Sequence, residues 1–259
     1  MRLEGRAVVV TGASRGLGER MALDFAAAGA LVSLAARDRP GLDQVASQIK
    51  EQGGKAIIVQ TDVTKAADCE RLMAATTEAF GKIDVLINNA GIAGPTKLVV
   101  DLELAEWEEV IRTNLTAAYL CIRFAARQMM ARKSGVIINI ASAIGKRPLE
   151  QRSPYAASKL GLVGLTRTLA QELGPFGIRV NAIMPGPVEG PRMDAVIEAM
   201  AKARKVPAQE VREFFTKDSP LGVMINDSDI SSMALYLASD LGRHMTGQDI
   251  NVTAGRMMY

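Results

Sequence analysis

The sequence is poor in the side chains from which disulfide frameworks and zinc sites are built. Its 259 residues include two cysteines, Cys69 and Cys121, and a single histidine, His244. Two thiols and one imidazole cannot form a disulfide framework and are too few for a four-ligand Cys/His zinc site. Any chemistry must therefore come from hydroxyls, carboxylates, lysines or a bound cofactor, and no metal site is predicted.

A strong charge bias and long apolar runs are also missing. The chain has 31 basic and 28 acidic residues, and a formal net charge of +3 is too small to indicate a nucleic-acid or membrane partner. No apolar run approaches the ~18 residues of a membrane span, and Met1–Arg6 lacks the layout of a signal peptide. Hydrophobic residues make up 48% of the chain, which is enough for a sizeable core. We expect a globular protein of the cytoplasm.

Short apolar runs recur along the chain and alternate with longer segments of helical spacing. Most of these runs lack polar alternation, which is typical of parallel strands covered on both faces. The predicted strands are Ala7–Thr11, Leu31–Ala35, Ala56–Gln60, Val85–Asn88, Val136–Ala141, Ile178–Ile183 and Ile250–Thr253. Alternating strands and helices indicate βαβ units. Right-handed crossovers then favour an α/β fold with one doubly wound parallel sheet.

One segment, residues 192–220, is long for a crossover between strands. It contains two helix-like pieces, Met193–Lys205 and Ala208–Phe215, between the sixth and seventh predicted strands. Long insertions of this kind often cover active sites. We interpret the segment as a lid over a substrate pocket within a single domain of residues 1–259. The alternative is an ordinary insertion that packs against the rest of the domain.

A glycine-rich turn joins the first predicted strand to a helix. It reads Thr11-Gly12-Ala13-Ser14-Arg15-Gly16-Leu17-Gly18. Glycines allow a tight turn and close backbone approach to a phosphate, and the helix N-terminus offers unpaired N–H groups to an anion. The spacing is GxxxGxG rather than GxGxxG. The turn thus indicates a nucleotide phosphate site, with a plain strand-to-helix turn as the alternative.

A second group of residues has the character of a proton-transfer site. Tyr155 and Lys159 are four residues apart at the start of a predicted helix, so both project from one face. A phenol with a pKa near 10 is a poor acid-base catalyst at neutral pH, but a nearby ammonium lowers that pKa. Ser142 follows a predicted buried strand and is placed to hold a substrate oxygen, and Asn114 to support a water or the lysine. The alternative is a pair of surface residues.

These motifs together resemble the short-chain dehydrogenase/reductase family, including its 3-oxoacyl-thioester reductase-like members. The resemblance runs from about Leu3 to Ala254. It rests on Thr11–Gly18, Asn88-Asn89-Ala90-Gly91, Asn114, Ser142, Tyr155-Ala156-Ala157-Ser158-Lys159 and Pro185-Gly186. It implies a single Rossmann-type domain with seven parallel strands in the order 3-2-1-4-5-6-7. It also implies a homotetramer or homodimer formed through the helices Glu103–Ala131 and Tyr155–Leu173.

The function that the resemblance implies is hydride transfer between a nicotinamide and a ketone or secondary alcohol. Tyr155 would donate or remove the proton, Ser142 would bind the same oxygen, Lys159 would bind the nicotinamide ribose and tune the tyrosine, and Asn114 would anchor a relay water. The predicted cofactor-binding residues are Gly12, Ser14, Arg15, Gly16, Leu17, Gly18, Arg37, Asp62, Val63, Asn89, Ala90, Gly91, Tyr155, Lys159, Pro185, Gly186 and Val188. The protein orients the reactants and provides the electrostatic environment, and the cofactor supplies the hydride. A nicotinamide-binding sensor without turnover is a further alternative.

The choice of nicotinamide depends on the residues after the second predicted strand. An acidic residue there binds the ribose 2′-OH of NAD, whereas arginine accommodates the 2′-phosphate of NADP. The chain reads Leu34-Ala35-Ala36-Arg37-Asp38, and Arg15 lies within reach of the same phosphate. We therefore favour NADP(H). A shift of one residue would place Asp38 at the ribose and favour an NAD(H)-dependent alcohol, sugar or steroid dehydrogenase.

One departure from the family pattern concerns the segment after Pro185-Gly186. The family usually has a threonine there that binds the nicotinamide carboxamide, but this chain has Gly190 at that position. The backbone of Val188 remains available for the carboxamide. We therefore expect altered cofactor closure rather than loss of activity.

Overall fold

Seven apolar runs of the chain form the parallel strands of one sheet. The computed structural model describes residues 1–259. The strands are β1 (Ala7–Thr11), β2 (Leu31–Ala36), β3 (Lys55–Gln60), β4 (Val85–Asn88), β5 (Gly135–Ile140), β6 (Ile178–Pro185) and β7 (Asp249–Val252). All neighbouring strands are parallel, and their order is β3-β2-β1-β4-β5-β6-β7. The predicted sheet and its strand order are confirmed.

Nine helices connect and cover the strands. They are α1 (Gly16–Ala27), α2 (Arg39–Glu51), α3 (Ala66–Phe80), α4 (Leu104–Ile111), α5 (Ala117–Arg132), α6 (Ser153–Leu173), α7 (Pro191–Arg204), α8 (Ala208–Lys217) and α9 (Asp227–Ala238). A π-helical turn, Arg112–Thr116, joins α4 to α5. None of the helices combines the length and the apolar character needed to cross a membrane.

The core lies on both faces of the sheet. Successive side chains of a strand point to opposite faces, so Val8 and Val10 of β1 pack in one cluster with Phe25 of α1. Val9 packs in the other cluster with Met129 of α5. Because both faces are covered by helices, the strands read as continuous apolar runs.

The two pieces of the segment 192–220 are helical, as predicted. Compared with the predicted ranges, α7 begins two residues earlier and α8 ends two residues later. They share a small apolar cluster that includes Met200, Val211 and Phe215 and that is separate from the clusters on the sheet. The segment is therefore a satellite body beside the main core.

The strand order reverses between β1 and β4, which brings the loops after their carboxyl ends to one edge of the sheet. In open α/β sheets, ligands bind in the crevice at this reversal. The loops that follow β1 to β6 contain many of the predicted site residues, whereas Asn114 lies in the turn between α4 and α5, and Tyr155 and Lys159 lie in α6.

Candidate active site

The turn between β1 and α1 forms an open cradle. Gly12 has a φ of +68°, and a Cβ there would lie 3.0 Å from the Cα of Ala90. A Cβ on Gly18 would overlap the carbonyl of Gly12, whereas the space around Gly16, whose φ is +56°, is empty to 4 Å. No side chain caps the start of α1, so its first N–H groups face this open space. Such an uncapped N-terminus binds anions.

Thr11 holds the loop after β4 against this cradle. Its Oγ1 accepts hydrogen bonds from the N–H groups of Asn89 at 3.0 Å and Ala90 at 3.1 Å. The Asn89 amide donates to the carbonyl of Thr11 at 2.9 Å. The contacts bring Asn89 and Ala90 next to the glycine turn, so residues predicted for the cofactor from two separate motifs form one surface. The role of Thr11 was not predicted.

Tyr155 and Lys159 project from the same face of α6 toward β5. Lys159 is only 3% exposed, and its Nζ donates to the carbonyl of Ile140 at 2.7 Å. The same Nζ lies 5.7 Å from the centroid of the Tyr155 ring. Tyr155 itself is half-buried. The ammonium is thus fixed beside the phenol by the hydrogen bond that it donates to the end of β5.

The surroundings of the phenol favour its ionised form. Burial, the largest influence, raises the pKa of Tyr155, but the charges of Lys159 and Arg192 lower it. Interaction with the Ser142 hydroxyl and the charge of Arg152 lower it further, and the resulting pKa lies below the usual value. Burial lowers the pKa of Lys159, an effect that Tyr155 opposes. The phenol is therefore a better proton donor and acceptor near neutral pH than a free tyrosine.

Ser142 lies two residues beyond the end of β5 and is buried. Its Oγ accepts a hydrogen bond from the N–H of Ile144 at 3.3 Å. This bond uses one lone pair, so the hydroxyl hydrogen is free to point toward Tyr155 or toward a substrate oxygen between them.

Asn114 lies in the π-helical turn between α4 and α5 and ties two parts of the site together. Its Oδ1 accepts from the N–H of Ile92 at 2.8 Å, and its Nδ2 donates to the carbonyl of Ile92 at 3.0 Å and to Ser158 Oγ at 3.1 Å. A Cβ on Gly91 would lie 3.0 Å from Asn114 Oδ1 and 3.7 Å from Lys159 Nζ. π-helical turns are frequent at functional sites, and this one sets Asn114 beside the lysine.

Arg37 and Asp38 follow β2 and differ in their surroundings. Asp38 is the N-cap of α2 and accepts a hydrogen bond from the N–H of Gly41 at 3.3 Å. A Cβ on Gly41 would lie 2.9 Å from the carbonyl of Ser14, so this corner abuts the glycine turn. Arg37 and Arg15 are both exposed. The carboxylate is engaged in a cap, while both guanidiniums extend into solvent near the turn.

Asp62 and Val63 follow β3. Asp62 Oδ1 accepts from the N–H of Thr64 at 3.1 Å and from its hydroxyl at 2.7 Å. Burial raises the pKa of Asp62, but these bonds and the charges of Arg37 and Lys65 leave it below the usual value. The residue before α3 is Lys65, so Asp62 forms a local turn rather than the helix cap itself.

The loop after β6 explains why glycine occupies position 190. Gly190 has a φ of +131°, a conformation that a β-branched threonine adopts only with strain. The neighbouring segment pairs with Ile225, whose N–H donates to Pro187 and whose carbonyl accepts from Glu189, both at 2.9 Å. The amide and carbonyl of Val188 take no part in these two bonds and stay available to a ligand.

Arg152 is a residue of the site that the sequence motifs did not indicate. It is 3% exposed, and its guanidinium carbon lies 5.2 Å from the centroid of the Tyr155 ring. It donates to the carbonyl of Ala93 at 2.8 Å and to Thr96 Oγ1 at 3.2 Å. The only signal in the sequence is its position three residues before Tyr155, one helical turn away.

Both thiols are unpaired and buried, with Cys121 Sγ 3.7 Å from Cys69 Sγ. The His, Cys, Asp and Glu side chains form no cluster of three or more that could hold a metal ion. The polar groups gathered at the sheet edge are instead a tyrosine, a lysine, a serine and an asparagine beside an anion cradle.

Comparison with known proteins agrees with this arrangement. Residues 6–202 match the family model described as short chain dehydrogenase. The chain belongs to the short-chain dehydrogenase family. Its members and the relatives below act on CH–OH or ketone groups, so the protein is an oxidoreductase of this class.

Three similar proteins illustrate the range of the family. The chain is 35% identical over 254 residues to 3-oxoacyl-acyl-carrier-protein reductase FabG of Staphylococcus aureus, covering 98% of each chain. It superposes with a TM-score of 0.94 on a variant of actinorhodin polyketide ketoreductase with NADPH, at 34% identity and 100% of each chain. It superposes with a TM-score of 0.93 on NAD⁺-bound xylitol dehydrogenase, at 29% identity, covering 98% of this chain and 100% of the other.

Proposed function

We propose that the protein is an NADP(H)-dependent oxidoreductase that interconverts a ketone and a secondary alcohol, with Tyr155 as the proton donor and acceptor. The observation that carries the proposal is the position of Tyr155, whose phenol lies beside the buried ammonium of Lys159 and the hydroxyl of Ser142. A phenol that is easier to ionise and lies next to a hydrogen-bond donor is suited to exchange a proton with a substrate oxygen.

The glycine turn fits the pyrophosphate of a dinucleotide. The open space at Gly16 and the uncapped start of α1 form the cradle. Its shape depends on glycine at two positions, because a Cβ on Gly12 would crowd Ala90 and a Cβ on Gly18 would overlap the carbonyl of Gly12. Asn89, Ala90 and Gly91 would line the adjoining wall, and the free backbone of Val188 would meet the carboxamide. When bound there, the nicotinamide supplies the hydride.

The residues of this chain carry out the proton half of the reaction. In reduction, Tyr155 gives its proton to the substrate oxygen, and Ser142 donates a hydrogen bond to the same oxygen. In oxidation, the phenolate takes that proton back. Lys159 holds the negative charge of the phenolate beside it. Asn114 keeps the loop at Ile92 and the helix at Ser158 in place around this group.

NADP(H) is the cofactor that we favour. Arg15 and Arg37 are exposed near the glycine turn, and Asp38 is engaged in capping α2. Two free guanidiniums suit a 2′-phosphate, which is bound best by bidentate, charge-assisted hydrogen bonds. The related ketoreductase with NADPH supports this choice. The NAD⁺-bound xylitol dehydrogenase keeps NAD(H) as the alternative.

Three further features are proposals of the same kind. The helices α7 and α8 form a lid over the substrate pocket, supported by their separate apolar cluster. The faces of α5 and α6 join subunits into a homotetramer or homodimer, supported by the exposed apolar side chains Tyr119 and Leu160. The cytoplasmic location remains a prediction from the sequence.

An activity screen tests the proposal. Purified protein is mixed with NADPH or NADH and a panel of small ketones, and absorbance at 340 nm is followed; the reverse reaction is run with secondary alcohols. We expect turnover with NADPH and at least one ketone. Tight NADPH binding by fluorescence, combined with no turnover on any substrate, would favour a sensor over an enzyme. Faster turnover with NADH would favour the NAD(H) alternative.

A further inference from the structure

Arg152 connects the start of α6 to the loop after β4. Its side chain is buried, and its two terminal nitrogens donate to the carbonyl of Ala93 at 2.8 Å and to Thr96 Oγ1 at 3.2 Å. Beside it, the N–H of Lys97 donates to the carbonyl of Gln151 at 3.1 Å. Three hydrogen bonds therefore join two segments that are distant along the chain.

The same guanidinium contacts the ring of Tyr155. Its carbon lies 5.2 Å from the ring centroid, a distance at which a cation and an aromatic ring attract each other. Arg152 is also the N-cap of α6, and its carbonyl accepts a hydrogen bond from the N–H of Ala156 at 2.9 Å. Arg152 thus contacts Tyr155 through its side chain and supports the helical turn of Tyr155 through its backbone.

The charge of Arg152 is costly to bury. Both of its hydrogen-bond acceptors are neutral, and none of the ion pairs of the chain includes it. A buried charge without a partner costs stability, whereas a neutral side chain of similar size avoids this cost. The phenolate of Tyr155, when it forms, offsets the charge. The contact is therefore more favourable for the ionised tyrosine than for the neutral one.

We propose that Arg152 is a positioning residue for proton transfer, which holds the ring of Tyr155 against the loop Ala93–Thr96 and stabilises its phenolate. This role rests on the proposed function. The loop is itself packed against α4, because a Cβ on Gly94 would lie 2.6 Å from Val110 Cγ2. Through Arg152, the ring is connected to a loop that is fixed in place.

Arg152 is one of four groups that lower the pKa of Tyr155. The others are Lys159 of α6, Arg192 of α7 and the hydroxyl of Ser142 after β5. All three remain in place when Arg152 is replaced, and every variant binds the same cofactor with the same charges. A change in the pH profile of an Arg152 variant therefore reports on Arg152.

Substitutions of Arg152 test this role. Arg152→Gln removes the charge, so kcat should fall by about 10-fold and the inflection of the pH profile should rise by about half a unit or more. Arg152→Lys keeps the charge, so the inflection should stay at the wild-type pH and part of kcat should return. Arg2→Gln removes an exposed arginine before β1, at the opposite end of the strands from the site, and should change neither.

Thr96→Val separates the position of Arg152 from its charge. It removes the acceptor of one hydrogen bond and leaves the guanidinium in the protein. We expect kcat to fall by about fivefold with no change in the inflection. If Arg152→Gln does not fold, Thr96→Val and Arg152→Lys decide the outcome through kcat.

The ionisation of Tyr155 is also measured without turnover. The chain has four tyrosines, and the difference in tyrosinate absorbance between a protein and its counterpart with Tyr155→Phe isolates Tyr155. The midpoint of this difference should rise in Arg152→Gln and stay unchanged in Arg152→Lys. This measurement does not depend on finding a substrate.

A wild-type inflection and midpoint in Arg152→Gln, or a wild-type kcat in both Arg152→Lys and Thr96→Val, would overturn the role of Arg152 and leave the proposed function intact. Equal losses of kcat in Arg152→Gln and Arg152→Lys with an unmoved inflection would reveal a purely structural residue and would also overturn it. Absence of turnover by the wild-type protein with every substrate would instead refute the proposed function, while the midpoint still tests the effect of Arg152 on the phenol.

Discussion

At the scale of residues, the proposed chemistry depends on how cations act on the phenol of Tyr155. In the proposed mechanism, oxidation requires the phenolate, so kcat/KM should rise with pH through a pKa below the usual value near 10. In reduction the protonated phenol is required, and the rate should fall through the same pKa. Removal of a nearby cation raises that pKa and moves both inflections to higher pH.

Lys159→Met provides the corresponding prediction. We expect the inflection of the pH profile to move up by about one to three units in both directions of the reaction. Lys202→Met, which removes a lysine remote from the phenol, should leave the inflection in place. An inflection that is the same in the wild-type and Lys159→Met proteins would show that the ammonium does not tune the tyrosine.

Arg15 and Arg37 determine the preferred nicotinamide in this account. Replacing both by alanine should weaken NADPH binding by about 100-fold or more, because two charge-assisted contacts to the 2′-phosphate are lost, and NADH binding by about threefold at most. Titration of cofactor fluorescence measures both constants. Lys50→Ala with Lys55→Ala, which removes two exposed charges elsewhere, is the control. Equal losses for the two cofactors would support the NAD(H) alternative.

Residue patterns with short sequence spacing determine local geometry most directly. The spacing of Tyr155 and Lys159 predicts that they share a helix face, and the structure places both there. The sequence does not reveal that Arg152 is buried, because its partners Ala93 and Thr96 lie more than fifty residues away along the chain. Contacts of this kind depend on tertiary structure.

At the scale of elements, α7 and α8 are the helices that the proposed function assigns to a lid. Their apolar side chains pack mainly against one another, and segments with little shared core open more readily than the main core. A junction at Asp218 connects them to the site: Asp218 pairs with Arg147 of the loop after β5 at 2.7 Å and with Arg256 near the C-terminus at 2.9 Å.

The lid proposal predicts a local change in hydrogen exchange. When NADPH and a substrate analogue bind, amide exchange in α7 and α8 should slow, because closure excludes water from both helices. Exchange in α9, which packs in the main core, should stay the same and serves as an internal control. Unaltered exchange in α7 and α8 would identify the segment as ordinary packed structure.

Elements with a clear apolar signature were predicted closely, and special backbone features were not. The strands match their predicted ranges to within one or two residues, because burial on both faces makes them apolar throughout. The π-helical turn Arg112–Thr116 leaves no trace in apolar spacing, since it changes the hydrogen-bond pattern of a continuous helix. The positive φ of Gly190 accounts for a glycine that the family pattern alone left unexplained.

At the scale of the whole molecule, the assembly prediction concerns the exposed faces of α5 and α6. Tyr119 is 46% exposed and Leu160 is 51% exposed, so both helices have apolar side chains that a partner subunit could cover. Leu160→Glu should reduce the particle mass, measured by size-exclusion chromatography with light scattering, from that of a tetramer or dimer to a smaller species. Gln209→Glu, on the exposed surface of α8, should not. A wild-type monomer would contradict the prediction.

The strand order of the sheet could be predicted from general rules of chain topology together with the family resemblance. Right-handed crossovers restrict the topology to few choices, and the family resemblance selects the order that the structure has. The position of α7 and α8 relative to the rest of the molecule was not available from the sequence, because it depends on contacts such as those at Asp218 that join three distant segments.

The kinetic effect of Tyr155→Phe tests the central claim most directly. The substitution removes only the hydroxyl, so the ring and its neighbours keep their packing. We predict that kcat falls by at least about 100-fold while the dissociation constant of NADPH, measured on the same preparation, stays within about twofold of the wild-type value. A kcat close to that of the wild-type protein would contradict the assignment of proton transfer to Tyr155.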